Sequence, residues 1–199
     1  MKTNRVLIGF LSVMAAMILS ALLFPVQVGA LLDRPELYGH VLFVHIVSVT
    51  LFFANAVVGM LWEKRSLDSG RKEVILHTYG TVTWIDARFS SPLIILSIVA
   101  GLMLGMMMGD IWQIGWLSLG FLLFMLSGLF WVAIDIPTQY RIKKMVARLD
   151  PADECLPAEL VRLLKKRWWI SLAGVLPLVA VFVLMVYKPE IPPVGRWFQ

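Results

Sequence analysis

Residues 37–62 read LYGHVLFVHIVSVTLFFANAVVGMLW, and this stretch decides the fold. A helix rises about 1.5 Å per residue, and some twenty apolar residues cover a hydrocarbon core roughly 30 Å thick, so the stretch is predicted to cross a membrane. The polar residues within it are not scattered. His45, Ser48, Asn55 and Gly59, with Phe52 between them, keep a spacing of three or four and fall on one stripe of a helix. Polar and ionisable side chains are costly against lipid, so the stripe is expected to face the interior of a bundle.

Composition agrees with that reading. Apolar residues make up 59% of the 199 and the mean hydropathy is +0.81, which suits a small polytopic membrane protein and excludes an ordinary soluble domain. One membrane domain covering 1–199 is expected. The net charge of +5 would suggest nucleic acid in a soluble chain. Here the basic residues lie between apolar runs and no nucleic-acid module is present, so no such partner is expected. The one cysteine, Cys155, excludes an intramolecular disulfide and a cysteine-ligated iron–sulfur cluster within one chain.

Working outward from 37–62, further spans are predicted at about 6–30, 89–108, 114–136 and 169–187. Together they make an all-α polytopic membrane helix bundle with five transmembrane helices, embedded in a lipid bilayer. The first follows a basic start and resembles a signal peptide, with Val28-Gly29-Ala30 as a cleavage-like site. Its length and the small-residue face of Ser12, Ala16 and Ser20 favour an uncleaved anchor. Before the second span, Asp33 suits a cap and Pro35 a first turn. Pro92 is read as a first-turn proline of the third span. Ser97, Gly101, Gly105 and Gly109 recur there at every fourth residue, a face that lets helix backbones approach and would suit a homo-oligomer or a larger membrane complex. Met103, Met106, Met107 and Asp110 stand on the opposite face.

Trp112 and Trp116 suit an interfacial belt, Asp135 and Pro137 end the fourth span, and a kink is expected at Pro177. The polar segments 63–88 and 137–168 are read as loops. The first is expected to carry a surface helix from Arg71, and the second two short amphipathic helices broken at Asp150-Pro151. Fifteen Lys and Arg lie on the side of these loops and three on the other. The positive-inside rule then puts the N-terminus and both loops in the cytoplasm and the C-terminus outside. A bacterial cytoplasmic (inner) membrane, with anionic headgroups near the basic loops, fits this distribution.

His45 is the residue most open to chemistry. A neutral imidazole about two turns inside the outer end of its helix could ligate haem iron or copper or relay protons, or could simply hydrogen-bond to a neighbouring helix. His40 is rotated about 140° from it and reads as a solvated interface histidine. His77 lies on the other side of the membrane, which disfavours a bis-histidine haem within one chain. Met103, Met106 and Met107 stand at about the depth of His45, and thioether with imidazole suits Cu(I) or a His/Met haem pair; equally, methionine is common apolar filler. At the inner face Asp86, Arg88 and Asp135 are expected to form a structural charge cluster through an Arg88–Asp135 pair, extended by Gln139 and Arg141. No G-x-S-x-G, P-loop, H-E-x-x-H or dinucleotide fingerprint occurs, so hydrolytic and nucleotide-dependent functions lose their support.

VLFVHIVSVTLFFANAVVGMLWEKR, the GLFWVAIDIPTQYR end of the fourth span, the RWW start of the fifth and its LMVYKP exit resemble a bacterial family of predicted integral membrane proteins, domain of unknown function 2269. The likeness covers about residues 37–189 and implies a fold without an established activity. More distantly, the histidine helix is similar to that of the copper-resistance protein D and HemJ-type protoporphyrinogen oxidase group, where the histidine implicated in haem b binding matches His45. That resemblance implies redox or metal chemistry. Three functions are therefore expected to compete: a haem b or redox-associated protein with His45 and Met103 or Met106 as ligands; a copper-handling protein using His45, Met103, Met106 and Met107; and a non-catalytic accessory or scaffold subunit of a membrane complex.

Overall fold

The computed structural model describes residues 34–150 and 155–197, with scattered positions between 8 and 30. The expected first span, 6–30, lies largely outside the described residues. Every regular element described is helical. Among the described residues four helices are long and apolar enough to cross a membrane: α1 (Pro35–Asp68), α2 (Lys72–Met108), α3 (Gly115–Val146) and α4 (Ala158–Tyr187). Pro35 opens α1 as expected. Positive φ values of 65° at Gly70 and 116° at Gly109, which glycine adopts without a Cβ clash, let the chain leave α1 and α2.

The helices outrun the apolar stretches that seed them. Of the expected loop 63–88, only residues 69–71 are non-helical; α1 continues to Asp68 and α2 runs from Lys72 into the third span without a break. On the 137–168 side, α3 persists to Val146 and α4 already begins at Ala158. Two physical effects produce this. Extending an existing helix avoids the cost of nucleation. The extensions also bury a seam of their own, in which Ile75, Tyr79, Ile142, Leu160 and Leu164 form a core backed by Leu67, Met145 and Leu163. Each such aliphatic side chain taken from water contributes about 1.5–3 kcal/mol.

Two prolines bring a second departure from expectation. Pro92 and Pro137 lie inside continuous helices, not at a start and an end. A proline ring has no N–H and clashes with the carbonyl four residues earlier. The chain answers with a π-helical turn just before each: Asp86–Ser90, where the Ser91 N–H bonds to the Asp86 carbonyl, and Trp131–Asp135, where the Ile136 N–H bonds to the Trp131 carbonyl.

Around the bundle the order is α2, α1, α4, α3. The α1–α2 and α3–α4 pairs pack along their lengths, and α1 meets α4. Phe53 and Phe182 join the latter pair with ring centroids 4.8 Å apart, and the Trp168 indole N–H donates to the Met60 carbonyl at 3.0 Å. By contrast α2 and α3 scarcely touch along their apolar lengths. They are tied at the end bearing the basic loops, where the Tyr79 hydroxyl donates to the Gln139 carbonyl at 3.3 Å. Phe43, Val58, Leu126, Leu129 and Val183 are exposed on the outer faces, as a lipid solvent requires. Trp62, Trp84 and Trp169 are exposed near the basic end, where their indoles suit the interface.

Candidate functional site

The polar stripe of α1 faces inward and continues past the point where apolar sequence stops: Ser48, Phe52, Gly59, Glu63 and Ser66 are all buried. On α4 the corresponding buried face is Leu160, Leu164, Arg167, Ile170 and Leu178. The two faces bring Glu63 against Arg167. Asp86 is the first residue of the π-turn in α2 and Asp135 the last of that in α3, so each helix delivers one charged residue to one place.

Arg167 is the hub. Its Nη1 donates to Glu63 Oε1, its Nη2 lies 3.8 Å from Asp86 Oδ2, its Nε lies 3.5 Å from Asp135 Oδ1, and its guanidinium carbon stands 5.2 Å from the Tyr79 ring centroid. Around this core Asn55 donates to Asp86 Oδ1 at 3.2 Å and to Ser90 Oγ at 2.7 Å, while Gln139 Nε2 donates to Asp135 Oδ2 at 2.6 Å. Arg167, Asp135 and Glu63 are 3%, 4% and 8% exposed, whereas the Asp86 side chain keeps 31%. Three carboxylates thus surround one guanidinium. Negative groups outnumber the positive one, and Asp135 Oδ1 and Arg167 Nε have no hydrogen bond.

Asp86 and Asp135 are brought together, and Gln139 joins them. The cation is another residue than expected: Arg88 is exposed, with its guanidinium 5.0 Å from the Trp84 centroid, and Arg141 is also exposed. Arg167 takes the central place. Both Arg167 and Glu63 fall in segments read from sequence as solvated loops. The signal for Glu63 was available, since it continues the three-to-four spacing of Phe52, Asn55 and Gly59 by one turn.

Above the cluster lies a cavity of about 320 Å³ between the four helices. Phe52, Ile94, Ile98, Phe124 and Leu178 form its apolar walls, and Asn55, Ser90, Asp86, Asp135 and Arg167 its polar end. It sits where α2 and α3 leave one another. Both π-turns border it, and such turns release a backbone register and often mark functional sites.

His45 occupies a different region, 18 residues or about 27 Å along α1 from Glu63. Its Nδ1 donates to the Ser97 carbonyl at 2.9 Å, and its ring fills the space of Gly101, where a Cβ would stand 2.9 Å from Cε1. The next glycine of that face is used in the same way, since a Cβ on Gly105 would lie 2.7 Å from Ile111 Cγ2. Gly101 and Gly105 therefore pack within the chain, while a Cβ on Gly109 would meet nothing within 4 Å. At about 100° per residue, Met103, Met106 and Met107 are turned roughly 200°, 140° and 240° from the direction of Gly101, so they do not converge on His45. His40 and His77 are exposed. Among the described residues no group of three or more His, Cys, Asp or Glu is arranged to hold a metal ion.

The family model described as predicted integral membrane protein (DUF2269) matches residues 40–189, which include α1 from its second turn, α2, α3, α4 and every charged residue of the cluster. Neither the curated proteins nor the solved structures compared with the chain contain a match.

Proposed function

Since the chain belongs to the family of predicted integral membrane proteins DUF2269, whose description carries no activity, we propose from the site itself that it binds a small lipid-soluble molecule within the membrane. The observation that carries this reading is the cavity: apolar along its walls, closed at one end by a buried charge cluster, and placed where α2 and α3 scarcely touch. Ligand sites are typically mostly apolar with a few convergent polar groups, and the helices of bundles are a preferred setting. The apolar walls would hold the body of the ligand and the cluster its head. The positive-inside rule favours the cytoplasmic side of a bacterial inner membrane for the charged end.

The test uses the full chain in lipid nanodiscs and the neutral dye N-phenyl-1-naphthylamine, with dye uptake by empty discs subtracted. Gly128 lines the cavity, and a Cβ there would meet nothing within 4 Å, so Gly128→Phe has room to fill the space. Saturable dye fluorescence in the wild type that is lost in Gly128→Phe supports the reading. Equal, non-saturating uptake by both overturns it.

A second reading, haem b or copper at His45, has one observation in its favour. A carbonyl can only accept, so the bond to Ser97 fixes the proton on Nδ1 and leaves the Nε2 lone pair for a metal, the arrangement in which ligating histidines are usually held. With the methionines turned away, this reading rests on His45 as the ligand. A reduced-minus-oxidised spectrum with b-type bands that vanish in His45→Ala supports it; a colourless, copper-free preparation from haem- and copper-replete cells counts against it.

A further inference from the structure

The polar end of the cavity has a sign. Arg167 is its one buried cation, and the guanidinium is already engaged: Nη1 with Glu63, Nη2 toward Asp86, Nε toward Asp135, and one face on Tyr79. Three carboxylates thus share its single positive charge, and they are not all satisfied. Asp135 is 4% exposed and its Oδ1 has no hydrogen bond, Asp86 Oδ2 is held only loosely at 3.8 Å, and the side chain of Asp86 is the most accessible of the three. Asn55 and Gln139 hold the other oxygens, Asp86 Oδ1 and Asp135 Oδ2, through their amide N–H groups. Four aromatic residues, Phe52, Phe124, Phe130 and Trp131, line the same cavity, and aromatic rings attract positive charge.

Resting on the intramembrane binding reading above, we infer that the cavity selects a lipophilic cation, an amine or quaternary ammonium carrying an apolar body, whose head is held between Asp86 and Asp135. The surplus of carboxylate over guanidinium supplies the attraction, and the low-dielectric setting strengthens it relative to water. A neutral molecule of the same length would gain the wall contacts and a single hydrogen bond from its hydroxyl, without the attraction between full charges. An anionic one would meet the like charge of three carboxylates around one guanidinium.

Three probes with one decyl chain separate the contributions: decyltrimethylammonium, decanol and decanoate. They are titrated below their micelle concentrations into the full chain in phosphatidylcholine nanodiscs by calorimetry, with empty discs subtracted. The expected order is cation, alcohol, anion, the cation about tenfold tighter than the alcohol because its full positive charge is attracted by the carboxylates and by aromatic rings, as an uncharged head is not. Asp86→Asn should reduce the cation's advantage over decanol, and Gly128→Phe should abolish the binding of both. Decanol binding equal to or tighter than the cation, still lost in Gly128→Phe, overturns the cation preference and leaves the binding reading standing. Absence of saturable binding by any of the three overturns the binding reading with it. The wild-type order needs no variant, so a variant that fails to fold leaves the test intact.

Discussion

Glu63 and Arg167 stand 104 residues apart in the chain and form a buried ion pair that joins α1 to α4. The pair is the centre of an uneven group, because Asp86 and Asp135 share the same guanidinium. Burying charge is costly, and such a group persists because every carboxylate has the guanidinium within reach, and Asp86 and Asp135 also accept hydrogen bonds from Asn55 and Gln139. Its removal piece by piece should therefore have unequal effects.

Arg167→Leu leaves three buried carboxylates without a counter-charge. Breaking a buried pair by deleting one partner costs about 3–5 kcal/mol, so this variant should unfold at much lower denaturant than the wild type, or fail to accumulate. Unfolding in mixed micelles, followed by circular dichroism, reads the difference. A midpoint equal to that of the wild type would refute the hub role of Arg167.

Glu63→Gln should cost less, roughly 1–3 kcal/mol for a disturbed buried hydrogen bond, because Arg167 keeps Asp135 and Asp86 while the acid surplus falls. The comparison is the informative quantity. Were Glu63→Gln as damaging as Arg167→Leu under the same conditions, the uneven sharing described here would be wrong.

Gly101→Ala should destabilise the α1–α2 contact by about 1–3 kcal/mol through overpacking, since its new Cβ would meet the imidazole of His45. In a His45→Ala background the obstacle is gone, and the same change should be close to neutral. A double-mutant cycle on thermal stability measures the coupling. Additive effects would show that the ring does not occupy that space in the folded protein.

Gly115→Ala places a methyl group on the carbonyl oxygens of Ile191 and Pro192, where the C-terminal tail lies against the start of α3. Backbone cannot give way as a side-chain tip can, so the tail should detach while the bundle remains. Faster proteolysis within 188–197, at an unchanged unfolding midpoint, is the expected outcome. An unchanged cleavage rate would place the tail elsewhere.

Cys155 is exposed on the side of the basic loops and is the single cysteine of the chain. A membrane-impermeant maleimide should label it in inside-out vesicles and leave it unlabelled in intact spheroplasts. The reverse pattern would invert the orientation that the distribution of Lys and Arg implies.

Most of the membrane architecture was legible because it rests on one strong local effect. Apolar runs long enough to span lipid announce themselves, and α1 to α4 each contain the span expected near 37–62, 89–108, 114–136 and 169–187. The inward stripe of α1 was legible for a related reason: a period of three to four residues places Ser48, Phe52 and Gly59 on one face whatever the partner. The alternative in which His45 hydrogen-bonds to a neighbouring helix was readable too, and its partner is the carbonyl of Ser97.

What composition and spacing determined by themselves were the helical class, the membrane as solvent and the face that α1 turns inward. The tertiary structure decided the rest. Arg88 and Arg167 both border apolar spans, and local sequence does not tell which is buried; the answer depends on where the α4 face lands relative to Glu63, Asp86 and Asp135. The prolines at 92 and 137 likewise become π-turns, not helix boundaries, only because tertiary packing holds the helix on both sides of them. Burial of charge and tolerance of a proline are set by what comes from other helices, and that is why their reading waited for the fold.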